Sequence, residues 1–302
     1  MRTLFIVLLL TFVFSPLKSQ SIDLSLNLTK GKEYSQVTKV NININQNINN
    51  QDVNMKLIID GSMKYLVKDK LDNGYHIDMS YNKLSMLTQT AQSTVEYSSE
   101  NKDLISSIFA SIMNKPIYLH INNTGKVIDV KNVESLWEQS INQINVFSEE
   151  QKSQLKEHLL KSFDSKAIKG NIEFLTAIYP NHTINIGDNW DITTHLENEM
   201  KFIVSSKYEL VAITSDYALI RGNSTIKTIN TDEYIELKGM NIRYDLEGTI
   251  LSDIKVDKES GWIIDAKMVQ KMQGYAFIKE NSQLPNGMKI KMNTTSESIV
   301  SN

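Results

Sequence analysis

The chain has 302 residues, 32 Lys and Arg against 35 Asp and Glu, a formal net charge of −3, and no cysteine. The mildly acidic balance, with no long basic run, argues against nucleic acid as a partner. The lack of cysteine excludes disulfides, thiolate metal sites, Cys nucleophiles and the cysteine-linked lipid anchor of exported bacterial lipoproteins.

The first nineteen residues read as a secretory signal peptide. Arg2 supplies a positive start, residues 4–14 are apolar, and Ser19 stands just before a cleavage point at Gln20. The apolar run is short of the ~20 residues that a membrane span needs, so the mature chain is expected to be exported, periplasmic or extracellular, and not membrane-spanning. Removing Arg2 and Lys18 takes the net charge from −3 to −5. Residues 20–302 are long enough to bury a core without disulfides. They read as one domain, with strands over 22–89, helices and a hairpin over 101–179, and strands over 184–292.

Ile22, Leu24, Leu26 and Leu28 alternate with polar residues, and Val40, Ile42, Ile44 and Ile48 do so among asparagines. A period of two predicts half-buried strands. Val53, Met55, Leu57 and Ile59 form the next strand, and Asp60-Gly61 signals a turn into Met63, Tyr65 and Val67. Asp72-Asn73-Gly74 predicts a hairpin of type I′, leading to Tyr75, Ile77, Met79 and Tyr81. Leu104, Ile105, Ile108, Phe109, Ile112 and Met113 predict a short amphipathic helix stopped by Pro116. Strands over 116–121 and 126–130 flank a turn at Asn122 to Gly125.

Residues 132–179 predict helices. Val133, Leu136, Trp137, Ser140, Ile141 and Ile144 share one helical face, with Asn132 as N-cap. Ser148 and Gln151 form a capping box ahead of Leu155, Leu159, Leu160 and Phe163. A third helix over 166–179 ends at Pro180. Alternation then resumes. Trp190 and Ile192 follow a kink at Gly187. Strands cover 202–213, 217–229, 234–246 and 249–256. Trp262, Ile264, Ala266 and Met268 share a face, strands over 274–278 and 288–292 follow, and the polar residues 294–302 read as a frayed end.

Signals for chemistry are sparse, and no catalytic, metal or cofactor residue is assigned. His76 and Asp78 point to one strand face, either as a base with its orienter or as an ordinary solvated surface. His158 has no second His four residues away. Asp69, Asp72 and Asn73 lack calcium-loop spacing. Trp190, flanked by Asp188 and Asp191, is either a sugar-stacking ring or core. The methionines on strand faces suit an adaptable apolar surface. An apolar ligand face is therefore expected at Met55, Leu57, Met63, Tyr65, Ile77, Met79, Trp262 and Ile264.

Several short stretches resemble an exported bacterial family, domain of unknown function 6263. They are Lys30-Gly31-Lys32-Glu33-Tyr34, Thr124-Gly125-Lys126-Val127, Ile178-Tyr179-Pro180 running to Ile186-Gly187-Asp188-Asn189-Trp190, and Asp257 to Gly261 followed by Trp262-Ile263. The resemblance implies no activity and no functional residues. The layout is also similar, at fold level, to periplasmic lipoprotein carriers. The expected fold is α+β: a large curved antiparallel β-sheet, half-barrel-like, with a central helical insertion packed on one face. The expected function is an envelope protein binding an apolar small molecule or lipid between sheet and helices. The alternatives are a structural or interaction protein without a ligand, a hydrolase using His76 and Asp78, and an outer-membrane barrel.

Overall fold

The computed structural model describes residues 21–302 except 49, 198, 199, 238 and 283. The expected signal segment, with Ser19 and Gln20, lies outside the described residues. In chain order the elements are β1 (Ser21–Ile22), β2 (Glu33–Ile48), β3 (Gln51–Leu71), β4 (Gly74–Gln89), β5 (Thr94–Ser98), α1 (Leu104–Ile112), β6 (Ile117–Ile121) and β7 (Val127–Lys131). There follow α2 (Val133–Asn142), α3 (Glu149–Phe163), α4 (Ser165–Thr176), β8 (Ile184–Asn185), β9 (Asn189–Glu197), β10 (Lys201–Ile213) and β11 (Tyr217–Thr228). The last are β12 (Ile235–Leu237), β13 (Met240–Asp257), β14 (Ile263–Ile278) and β15 (Met288–Ser301).

The alternating runs build one antiparallel sheet of 13 strands, ordered β7-β6-β4-β3-β2-β15-β14-β13-β11-β10-β9, with β5 added to β4 and β12 to β13. The sheet stays open rather than closing into a barrel, which removes the barrel alternative, and the curved α+β architecture is as expected. Its two outermost strands, β7 and β9, both pack against α4. That helix therefore covers edges that would otherwise expose unpaired backbone groups. Thr176 Oγ1 donates to Gly125 O at 2.6 Å, and Trp190 Nε1 donates to Ile178 O at 2.9 Å, tying helix and following segment to the two sides.

The helices form where capping chemistry allows. Ser148 and Gln151 make the expected capping box on α3. Asp164, which the sequence reading passed over, caps α4 by accepting from Ala167 N at 2.7 Å. Asn132 is not a side-chain cap: it sits at φ 77°, and its Nδ2 donates to Pro116 O at 2.7 Å. α4 ends at Thr176, four residues before Pro180, because the chain straightens to bury Ile178 and Tyr179. Trp137 is the pivot of the helical layer. Its ring meets Phe109 and Phe163, and its Nε1 donates to Phe163 O.

Several strand boundaries differ from the sequence reading. Asp60-Gly61 is no turn; β3 runs through it for 21 residues. The Asp72-Asn73 turn joins β3 to β4, but Asn73 does not take a positive φ, so it is not type I′. Residues 234–256 form the short β12 and one long β13. β5 had no clear period-two signal. Residues 294–301 are not frayed: they belong to β15, which pairs with both β14 and β2 in the middle of the sheet. Residues 23–31 leave the sheet altogether. Leu24, Leu26 and Leu28 are nonetheless buried, because this segment straps the sheet's base. Leu26 N donates to Asn123 O and Asn27 N to Ser260 O, each at 2.8 Å.

Candidate apolar-ligand site

Register defines the inner face. On β2 it carries Tyr34, Gln36, Thr38, Val40, Ile42 and Ile44, opposite Tyr65, Met63, Gly61, Ile59, Leu57 and Met55 on β3. On β4 the matching residues are Met79, Tyr81, Leu84, Met86 and Thr88. One end of this face is packed. Tyr34 and Tyr65 close around the Trp262 ring at 5.1 and 5.0 Å, and Trp262 Nε1 donates to Ser35 O. The other end is only half-buried, and Val40, Ile42, Met55, Leu57, Ile59 and Met86 stand outside the packed hydrophobic cluster.

The eight residues expected on a ligand face therefore divide. Tyr65, Ile77, Met79 and Trp262 are buried in the core. Met63 packs at its margin, and Met55 and Leu57 lie on the open end. Ile264 does not share the face of Trp262 and Ala266. A bulge between the Val256–Ile263 and Lys255–Asp265 pairs brings Ile263 inward beside Val256 and leaves Ile264 out of the alternation.

At the junction of packed and open ends lie polar atoms that the sequence reading missed. Gln36 is 2% exposed, yet its Nε2 has no hydrogen-bond partner, and neither has Thr38 Oγ1. Asn82 Oδ1, at the β4 bulge, and Asn123 Oδ1, in the β6–β7 turn, are likewise unpartnered. Beside Gln36, the Tyr65 hydroxyl donates only to the Met63 sulfur, at 3.5 Å, a weak acceptor. Burial pushes the Tyr81 hydroxyl up to about 12, so it stays neutral. Gly61, opposite Thr38, leaves a notch: a Cβ there would meet nothing nearer than Lys83 O at 4.0 Å. The signal in the sequence was a glutamine and a threonine on the apolar register of β2.

Space between sheet and helices is unequal. Where α2 meets β4, the enclosed cavity is about 40 Å³, lined by Tyr81, Leu84, Trp137 and Phe163 among others. A wider cleft of about 440 Å³ opens between α3 and the strands β12 and β13, with Leu160, Met200, Ile235, Leu237, Ile242 and Tyr244 on its walls.

Of the candidates for other chemistry, His76 and Asp78 line one open cleft with His120 and Asp129. His76 is exposed, its ring 5.2 Å from that of His120, while Asp78 faces Lys68 at 3.7 Å. Asp69 bonds Lys30, which holds its carboxyl below the usual range. Among the described residues no three His, Cys, Asp or Glu side chains converge as for a metal. Trp190 is 6% exposed and tilted against Tyr208, so it is core and not a stacking platform. His158 lies on α3 with its side chain outside what the structure describes. No helix among the described residues is long and apolar enough to cross a membrane.

Among solved structures, lipovitellin, in a structure of its lipid–protein interactions, is similar with a TM-score of 0.51 and 10% identity. The likeness covers 91% of this chain and 26% of that one, so the chain spans about a quarter of lipovitellin's length, and the fold alone is shared. An outer membrane channel from Pseudomonas putida F1 gives a TM-score of 0.26 at 8% identity, covering 91% and 97% of the two chains; so low a score carries no argument. No curated protein matches the sequence. Residues 72–263 match the model of DUF6263, a family of unknown function; with 192 of 302 residues matched, the chain belongs to that family.

Proposed function

We propose that this is an exported cell-envelope protein that holds a lipid or another apolar ligand against the open end of its curved sheet. One observation carries the reading. Six apolar side chains, Val40, Ile42, Met55, Leu57, Ile59 and Met86, share one face of three adjacent strands and are not covered by the packed core. Water against such a surface is unfavourable by ~25 cal/mol per Å², and an apolar ligand removes it. The fold shared with lipovitellin, whose structure was described for its lipid contacts, supports the reading. The cavity of about 40 Å³ at the α2–β4 seam is too small for a lipid, so that seam favours a solid core.

The test is native mass spectrometry of the protein purified from its own host, with organic extraction of what it carries. A bound apolar species is expected, and Leu57→Asp should lose it. Protein free of extractable lipid, unable also to take up the uncharged fluorophore N-phenyl-1-naphthylamine, would refute the proposal. Export rests on the signal-like start. N-terminal sequencing of envelope protein should read from Gln20, and an intact Met1 in cytosolic protein would overturn it.

A further inference from the structure

The ligand reading leaves open which kind of lipid the trough takes. We infer that it takes a long-chain lipid whose polar end is an uncharged hydrogen-bond acceptor, an ester carbonyl, seated on Gln36 and Thr38. The inference rests on the binding reading above and narrows it.

Gln36 and Thr38 lie two residues apart on the inner face of β2, where packed core gives way to open face. Both present donor hydrogens that no protein group accepts. A buried polar atom left unpaired costs ~1–3 kcal/mol, so this pair is a standing demand for an acceptor. The register supplies room for one small group beside it, since Gly61 is the residue opposite Thr38 and a Cβ there would meet only Lys83 O, at 4.0 Å. Beyond Thr38 the same face offers Val40 and Ile42 in succession, about 13 Å of strand at ~3.3 Å per residue, with Leu57 and Ile59 beside them on β3, along which an extended hydrocarbon chain can lie.

The chemistry of the neighbours decides the charge of the head. On the inner face, the residues level with Gln36 and Thr38 on the flanking strands are Met63, Tyr81, Gly61, Leu84 and Val300. None is cationic. A carboxylate or phosphate buried there would lack a counter-charge and be costly, whereas a neutral carbonyl accepts from both donors without that penalty.

The test is displacement of N-phenyl-1-naphthylamine by methyl oleate, 1-octadecene and oleate at neutral pH. Two hydrogen bonds of ordinary strength predict that methyl oleate competes at roughly thirtyfold lower concentration than 1-octadecene, with oleate the weaker of the two oleyl ligands. The double variant Gln36→Leu, Thr38→Val should bring methyl oleate and 1-octadecene level. Gly61→Ala, whose Cβ meets only Lys83 O at 4.0 Å, should weaken methyl oleate while leaving the unfolding midpoint no lower. In the wild-type protein, the infrared carbonyl stretch of bound ¹³C-labelled methyl oleate should lie below its value in hexadecane, a readout that needs no variant. Equal competition by methyl oleate and 1-octadecene in the wild type, with an unshifted carbonyl stretch, would mean that water satisfies the two donors; it overturns this inference while leaving apolar binding intact. Stronger competition by oleate overturns it too. Failure of the fluorophore and of every lipid to bind refutes the binding reading itself.

Discussion

Replacing Leu26 and Leu57 by alanine, one at a time, asks whether the trough has a packed end and an open end. The chemical change is identical in both. Leu26 is 3% exposed, on the strap that crosses the base of the sheet. Truncation removes three carbons, ~2.4 kcal/mol of transfer at ~0.8 per carbon, and the cavity left behind raises the total to about 3 kcal/mol. The strap's backbone bonds to Asn123 and from Tyr75 survive, so the loss is one of side-chain packing. Leu57 is half-buried and stands outside the packed cluster. Its neighbours contribute few contacts to lose, so ligand-free Leu57→Ala should cost about 1 kcal/mol or less. Urea unfolding followed by far-ultraviolet circular dichroism measures both, with unchanged slope as the sign that only stability moved. Equal costs within ~0.5 kcal/mol would show a trough packed along its whole length and sink the open-end reading. A Leu26→Ala cost below ~1 kcal/mol would remove the strap from the core.

Gly125→Ala should destabilise by more than ~2 kcal/mol, because Gly125 takes φ +81° and a Cβ would stand 1.7 Å from Thr176 O; a thermal midpoint within 2 °C of wild type would contradict it. Asp164→Ala should cost ~1 kcal/mol through the lost cap on α4, read as a lower urea midpoint, and no change would mean that water replaces the cap. Partial burial raises the Glu134 carboxyl, but hydrogen bonds from Ser165 Oγ and Ser165 N outweigh it and hold the group below its ordinary 4.5. A depressed carboxyl contributes stability above its unfolded value and loses it as pH falls through the folded one. Glu134→Gln should therefore be less stable than wild type at pH 7, with the gap closing below about pH 4; a gap independent of pH would refute the assignment.

The sequence by itself determined most of the local structure. Period-two alternation marks the strands and period 3.6 the helices because a residue's partition between core and water acts at each position separately. Ser148 with Gln151 marks the start of α3 because a cap needs only four neighbouring residues. Leu24, Leu26 and Leu28 were rightly read as buried, yet not as strap instead of strand, since alternation reports burial and not which backbone lies alongside. Tertiary structure decided the rest. The mostly polar residues 294–301 occupy the centre of the sheet because ladder hydrogen bonds are made by backbone, which any side chain permits. A bulge near Lys255 set Ile263 on the inner face in place of Ile264, because the inserted residue breaks the alternation there while Ala266 and Met268 keep their face. Tyr65, Met79, Leu57 and Met55 look alike in sequence, but only the first two are sealed, because the Trp262 ring and the strap cover one end of the face, while at the other end Leu57 and Met55 stay outside the packed cluster. Burial of the second pair depends on what rests upon that face, and such coverage is a property of the assembled chain.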